Sequence, residues 1–165
     1  ICEEADGTLW FASESAGLLR WSDGVLVHLG PRDGLPFNLI HSLELDGQGG
    51  LWMSGDEGLL RIRLADFERW ARGELDGVPS ELFSARDGLR DRECNGWGSP
   101  SSSRFADGKL VYPTISGFAL VEPVRVVAPE LTANEIVIDA AWSGERELEV
   151  GAPIQDRKSV VWERV

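Results

Sequence analysis

Apolar residues occur along this chain in short runs, and polar turns that contain glycine separate the runs. Several of these turns read Asp-Gly, at residues 6–7, 46–47 and 107–108. Asp-Gly favours hairpin turns, because glycine accepts positive φ and aspartate bonds the local backbone. The pattern therefore predicts short antiparallel strands. The predicted strands are Leu9–Ser13, Leu18–Trp21, Val25–Leu29, Leu51–Ser54, Leu59–Arg63 and Leu110–Thr114.

The strand pattern repeats along the chain. Trp10 and Trp52 lie 42 residues apart, and Gly17 and Gly58 lie 41 residues apart. Four short antiparallel strands in such a period make one blade of a β-propeller, whereas an immunoglobulin-like sandwich would not repeat at this period. We predict an all-β fold in which residues 1–123 form about two and a half blades. Gly117 is the third equivalent of Gly17, and the repeated tryptophans are predicted to pack between blades.

Residues 64–78 interrupt the repeat with apolar residues at helical spacing, which predicts a short helix that packs on the blades. The repeat ends at Pro123. Val124–Val127 and Leu131–Ile138 are predicted strands, so residues 124–155 are a linker and the first strands of another all-β module. Residues 156–165 resemble one reading frame of a sequencing adapter and are predicted to be a non-native tail. The chain opens at Ile1 within a predicted strand, so we expect it to be an internal part of a longer protein.

The net charge and the cysteine content argue against several classes of partner and cofactor. The net charge of −12 disfavours nucleic acid and anionic membrane surfaces as partners. The chain has two cysteines and two histidines, without the CxxC or HxxxH spacings that bind zinc, so we predict no metal site and no cofactor. Cys2 and Cys94 could pair as a disulfide or remain two buried thiols, and the sequence leaves both alternatives open.

Residues 33–61 resemble the repeat of the two-component regulator propeller family, which reads DGLPxNxIxSLxxDxxGxLWxGTxxGLxR. Residues 87–117 are similar to the last blade of such propellers. They contain Glu-Cys-Asn-Gly at 93–96, Pro-Ser at 100–101 and Tyr-Pro-Thr at 112–114. Departures from the family pattern are Trp97 in place of glycine and Val111 in place of tryptophan. The segment from Pro129 resembles the start of the three-Y domain, an immunoglobulin-like β-sandwich.

The resemblance implies the last blades of an extracytoplasmic sensor propeller. In such receptors a three-Y domain, a transmembrane helix and a cytoplasmic output module follow, often a histidine kinase or a diguanylate cyclase. It implies a periplasmic location on a bacterial inner-membrane protein, a homodimeric receptor, and a small-molecule or carbohydrate ligand. The segment itself is expected to have no enzymatic activity and no direct contact with the membrane.

The loop from Arg86 to Ser103 is the candidate ligand site, because it is long and polar and carries an aromatic residue. The alternative is a structural plug at Glu93-Cys94-Asn95, and Asn38 after the earlier Asp-Gly-Leu segment has the same two interpretations. No catalytic residue is assigned, since no Ser-His-Asp order, P-loop or dinucleotide fingerprint occurs. The candidate ligand-binding residues are Asn38, Arg90, Arg92, Glu93, Asn95 and Trp97.

Two other function classes stay open. A propeller enzyme such as a lyase or glycosidase would need acid and base residues that converge on one face. A protein-interaction scaffold of the WD type would need Gly-His and Trp-Asp pairs, which the repeat does not contain.

Overall fold

The structure is a computed structural model that describes residues 1–126 and the backbone of residues 141–143 and 146–148. The chain divides into two compact units, Ile1–Ala128 and Pro129–Val165. The first unit contains three antiparallel sheets and one short α-helix, which confirms the predicted all-β fold. In the second unit a short hairpin is described. The predicted strand Leu131–Ile138 and the predicted tail 156–165 lie outside the described residues.

Each sheet of the first unit is one copy of the sequence repeat, and its strands pair in chain order. Blade 1 contains β1 (Cys2–Glu3), β2 (Leu9–Ser13), β3 (Gly17–Ser22) and β4 (Val25–Leu29). Blade 2 contains β5 (Ser42–Leu45), β6 (Gly50–Gly55), β7 (Gly58–Arg63), helix α1 (Leu64–Ala71) and β8 (Ser80–Phe83). Blade 3 contains β9 (Ser103–Arg104), β10 (Leu110–Thr114) and β11 (Gly117–Val121). In the second unit β12 (Ala141–Ser143) pairs with β13 (Arg146–Leu148).

The predicted strand at Val124–Val127 is corrected by the structure, because Pro123–Arg125 is a turn of 3-10 helix. Proline has no N–H to donate to a sheet, and its fixed φ suits the first position of a helical turn. Within the 64–78 insertion, α1 ends at Ala71. Its Phe67 is buried and meets Trp10 edge-on, with ring centroids 4.8 Å apart.

Successive blades bury apolar side chains between them. We call the face of a blade that packs on the next blade its trailing face, and the opposite face its leading face. Alternation along a strand sends neighbouring side chains to opposite faces. The first seam therefore joins the trailing face of blade 1 to the leading face of blade 2, and the second seam joins blades 2 and 3 in the same way. Trp10 and Trp52 lie on trailing faces, each about 1% exposed.

The link between blades 1 and 2 depends on Gly34, which follows the 3-10 helix Pro31–Asp33 and has a φ of +113°. A Cβ atom there would lie 2.4 Å from the carbonyl oxygen of Val78. Gly88 has the same place in the next link, with a φ of +95°, and a Cβ there would meet nothing within 4 Å. The two glycines therefore share a backbone conformation and differ in their surroundings.

Alanine at these two glycines should separate the two effects. Gly88→Ala should cost about 1 kcal/mol of unfolding free energy, since a left-handed backbone disfavours a Cβ atom. Gly34→Ala should cost about 2 kcal/mol more, because the Val78 backbone must also move. Urea unfolding followed by circular dichroism measures both values. Equal losses in the two variants would show that the close approach to Val78 has no energetic consequence.

Candidate ligand-binding surface

The candidate loop leaves blade 2 through a short 3-10 helix, Ala85–Asp87. The Ser84 N–H donates to the Asp87 carboxylate at 2.8 Å. The first link is built in the same way, where the Gly30 N–H donates to the Asp33 carboxylate at 3.0 Å. The two links therefore follow the same path, and residues 54 apart in sequence are equivalent.

Two consecutive amides in each link join neighbouring blades. In the first link, Ile40 N–H donates to Ser13 O at 3.1 Å, and His41 N–H donates to Ser54 O at 2.8 Å. In the second link Cys94 N–H donates to Gly55 O at 3.1 Å, and Asn95 N–H donates to Pro113 O at 2.8 Å. The first amide of each pair bonds the preceding blade, and the second bonds the following blade. Glu93-Cys94-Asn95 therefore has a structural role through its backbone.

Asn38 and Arg92 hold equivalent positions and both contact the hairpin of the preceding blade. The Asn38 side-chain amide donates to Ser15 O at 2.8 Å. Arg92 Nη1 lies 3.8 Å from Glu57 Oε2, and both of these side chains are exposed. An exposed ion pair contributes little to stability, so the Arg92 guanidinium is held only weakly. Asn38 lies on the first seam, away from the other candidate residues on the second.

His41 lies beneath the candidate loop. Its Nε2 is 2.8 Å from Asp56 Oδ1. A Cβ atom at Gly96 would lie 2.4 Å from His41 Nδ1, so only glycine allows the loop to cross the imidazole this closely. The Ser101 hydroxyl donates to the backbone oxygen of His41 at 3.3 Å. The loop therefore contacts His41 on both sides of Trp97, through Gly96 before it and Ser101 after it.

Trp97 is 98% exposed at the outer side of this loop. Its backbone N–H donates to Asn95 Oδ1 at 3.0 Å, which orders the turn that carries it. Arg90, Glu93 and Asn95 are exposed as well. The hairpin residues Asp56 and Glu57 connect Arg92 to the part of the loop that crosses His41. The structure therefore brings Asn95 and Trp97 together on one exposed turn, whereas Arg92 contacts the blade 2 hairpin from the start of the same loop.

Asp91 fixes the start of the loop to blade 3. Its carboxylate accepts hydrogen bonds from the hydroxyls of Ser116 and Thr114, the latter at 3.2 Å. The hydrogen bond from Ser116, with a smaller contribution from Thr114, holds the pKa of Asp91 below its usual range. Sequence reasoning missed both Asp91 and His41. The only signal for His41 was its repeat equivalence to Asn95.

The polar groups around His41 form no catalytic triad with the residues that the structure describes. The Ser101 hydroxyl is directed at the His41 carbonyl and not at its imidazole, so these residues do not form a Ser-His-Asp triad with Asp56. Among the described residues no group of three His, Cys, Asp or Glu side chains could hold a metal ion.

Cys2 and Cys94 are free thiols, so the structure favours the second of the two alternatives left by the sequence. Cys94 is buried and Cys2 is half-buried. Burial raises the pKa of each thiol to about 11.

Comparison with known proteins identifies the fold. No family model matches the chain, and no curated protein matches it. Eleven chains of solved structures match. One is the crystal structure of the extracellular domain of a protein from B. thetaiotaomicron that is assigned as a hybrid two component system. The TM-score is 0.55 and the sequence identity is 16%; the match covers 74% of this chain and 15% of that one.

The likeness to that extracellular domain shows a shared fold, and the chain spans about 15% of its length. None of the helices in the described part of the chain has the length and apolar character needed to cross a bilayer.

Proposed function

We propose that this chain is the ligand-sensing part of an extracytoplasmic propeller in a bacterial membrane receptor of the two-component type. The single observation that carries the proposal is the exposed Trp97, whose backbone N–H bonds Asn95 Oδ1, on a polar loop that bonds two neighbouring blades. The structural neighbour is itself the extracellular domain of a protein assigned as a hybrid two component system, which supports this class of receptor. The resemblance of residues 33–61 and 87–117 to two-component regulator propellers supports it too.

The ligand that suits this surface is a small polar molecule or an oligosaccharide. An indole offers a flat apolar face, and amide and guanidinium groups beside it offer directional hydrogen bonds. Loops on a rigid β scaffold commonly carry binding residues. The candidate loop provides both kinds of group on a scaffold that two blades hold in place.

The position of the loop between two blades suggests how ligand binding is coupled to the arrangement of those blades. Its backbone bonds blade 2 through Cys94 and blade 3 through Asn95. A ligand that contacts Trp97 and the blade 2 hairpin together would favour one arrangement of this seam. A ligand can shift such an equilibrium only by its differential affinity for the two arrangements. The proposed partners are the ligand and, as the family resemblance implies, the rest of a homodimeric receptor in which a three-Y domain and a histidine kinase or other output module follow.

The test is binding of neutral and acidic oligosaccharides to the purified chain, measured by calorimetry. Trp97→Ala and Asn95→Ala should each weaken binding by about tenfold, or about 1.4 kcal/mol. Leu26→Ala is the matched control, since Leu26 is exposed on blade 1 far along the chain from the loop. Affinity that is unchanged in both loop variants would remove this surface as the site. Cleavage of the bound sugar would favour the propeller-enzyme alternative instead.

A further inference from the structure

Asn95 is the one asparagine in the sequence that precedes a glycine. The other two, Asn38 and Asn134, precede leucine and glutamate. An asparagine can react with its own chain, because the backbone nitrogen of the next residue can attack the side-chain carbon Cγ and close a five-membered ring. A side chain on the next residue hinders this approach, whereas glycine leaves it open. Asn95 is exposed, so water can reach the ring once it has formed.

The fold holds the two reacting groups of Asn95 and Gly96 together. The Trp97 N–H donates to Asn95 Oδ1 at 3.0 Å. This Asx turn folds the side chain back along the Gly96 peptide, so that Cγ lies beside the Gly96 nitrogen. The same hydrogen bond draws electrons from the side-chain carbonyl and makes Cγ easier to attack. The Gly96 N–H donates to none of the residues that the structure describes, so its nitrogen is available.

His41 places a base against this glycine. Its Nε2 lies 2.8 Å from the Asp56 carboxylate, which only accepts hydrogen bonds. The neutral imidazole therefore carries its proton on Nε2 and a lone pair on Nδ1. Nδ1 is the atom nearest to the position that a Cβ atom of Gly96 would take. The Gly96 N–H is therefore within reach of this lone pair, directly or through one water.

We propose that Asn95 is a self-modification site, which converts to aspartate or isoaspartate without an enzyme. The Gly96 nitrogen forms a bond to Asn95 Cγ, and its proton passes to His41 Nδ1. The bond from Cγ to Nδ2 then breaks, and the leaving NH₂ group takes that proton and departs as ammonia. Water opens the resulting succinimide at either of its carbonyls. Opening at one carbonyl gives aspartate, and opening at the other gives isoaspartate.

The reaction changes the turn that carries Trp97. Aspartate adds a negative charge there and keeps an acceptor for the Trp97 N–H. Isoaspartate adds a carbon atom to the main chain between the Asn95 N–H, which bonds Pro113 O at 2.8 Å, and Gly96, which crosses His41. These two contacts cannot both keep their geometry in the longer chain. No step requires a ligand, so this inference does not depend on the proposed function.

The experiment is a time course of the full chain in neutral buffer. Samples are digested at acidic pH, and the peptide that contains Asn95 is analysed by mass spectrometry. Replacement of NH₂ by OH raises its mass, and chromatography separates the aspartyl and isoaspartyl products. The folded chain should react about tenfold faster than the same chain unfolded in urea. This factor is smaller than a positioned base usually provides, because a backbone amide is a very weak acid.

Three comparisons make the test specific. Asn38, whose side chain donates to Ser15 O at 2.8 Å, is the internal control and should stay intact. Asn95→Gln is the matched control for the assay, since its ring would have six members, and it should show no mass gain. His41→Gln keeps a group that can bond Asp56 but has no imidazole nitrogen, so it should react at about the rate of the unfolded chain.

Two results would overturn the proposal. One is a folded wild type that reacts no faster than the unfolded chain. The other is a folded His41→Gln variant that reacts as fast as the wild type. Circular dichroism establishes whether the variant is folded. If it is not, the comparison of folded and unfolded wild type decides the question without any substitution.

Discussion

Replacement of Trp52 by alanine should lower the unfolding free energy by about 4 kcal/mol, which is typical of a buried tryptophan. The ring is about 1% exposed and stacks on Phe83 at a centroid distance of 5.1 Å. The Arg61 guanidinium covers it at 5.5 Å. Truncation removes all of these contacts at once and opens a cavity in the second seam. Since a domain of this size is stable by roughly 5–15 kcal/mol, the loss should appear clearly in urea unfolding.

Trp97→Ala is the matched control for this measurement. The substitution is chemically the same, but Trp97 is 98% exposed, so its stability should stay within about 0.5 kcal/mol of the wild type. Circular dichroism is the better probe, because both variants also lose fluorescence. A similar loss in the two variants would mean that burial in the seam does not explain the repeated tryptophan.

The strands could be predicted because their signals are local. The predicted bounds Leu9–Ser13, Val25–Leu29 and Leu110–Thr114 agree with the observed strands. Asp-Gly turns fix where a hairpin reverses, and the period of two then fixes which residues face a neighbouring blade. The error at Val124–Val127 has the opposite origin. A valine-rich run favours a strand, but Pro123 begins a helical turn there.

The candidate site was less accessible to sequence reasoning, because its geometry depends on contacts between blades. Nothing near His41 in the sequence indicates that its imidazole meets Asp56 and lies under Gly96. Asn38 and Arg92 share a repeat position but use different chemistry, an amide to a carbonyl in one case and an ion pair in the other. The repeat predicts the backbone path of each link between blades, whereas the side chains at each seam determine which groups that link contacts.

The acceptor of the tryptophan N–H lies six residues before the tryptophan in both blades, and it is Glu4 in blade 1 and Asp46 in blade 2. In blade 1 two different residues accept the hydrogen bonds from the indole and from the backbone: Glu4 accepts from Trp10 Nε1 at 2.7 Å, and Asp6 accepts from the Thr8 N–H at 2.9 Å. In blade 2 Asp46 does both. One oxygen accepts from two backbone N–H groups, and the other accepts from Trp52 Nε1 at 3.0 Å. The Asp-Gly pairs at 6–7 and 46–47 are alike in sequence, but when the tryptophans are aligned Asp46 is equivalent to Glu4, and Asp6 is equivalent to Gln48.

Asp46→Asn should therefore destabilise the protein by about 3 kcal/mol, the order expected when one member of a buried charged network is lost. The Asp46 side chain is fully buried, with Arg61 Nη2 at 3.6 Å. An asparagine can keep its oxygen toward the backbone amides. Its NH₂ group then faces the Trp52 N–H and the Arg61 guanidinium, so donors oppose donors and the arginine loses a counter-charge. Urea unfolding of the purified variant measures the loss.

Asp6→Asn is the control that makes the test specific. Asp6 is exposed and lies at an Asp-Gly turn of blade 1, two residues after the equivalent of Asp46, and its bond from the Thr8 N–H holds its pKa below the usual range. An asparagine oxygen accepts that same bond, so Asp6→Asn should unfold close to the wild type. If Asp46→Asn were as mild as Asp6→Asn, the carboxylate would act at both sites only as a turn residue. The contacts to Trp52 and Arg61 would then add nothing, and the stability of the second seam would rest on apolar packing alone.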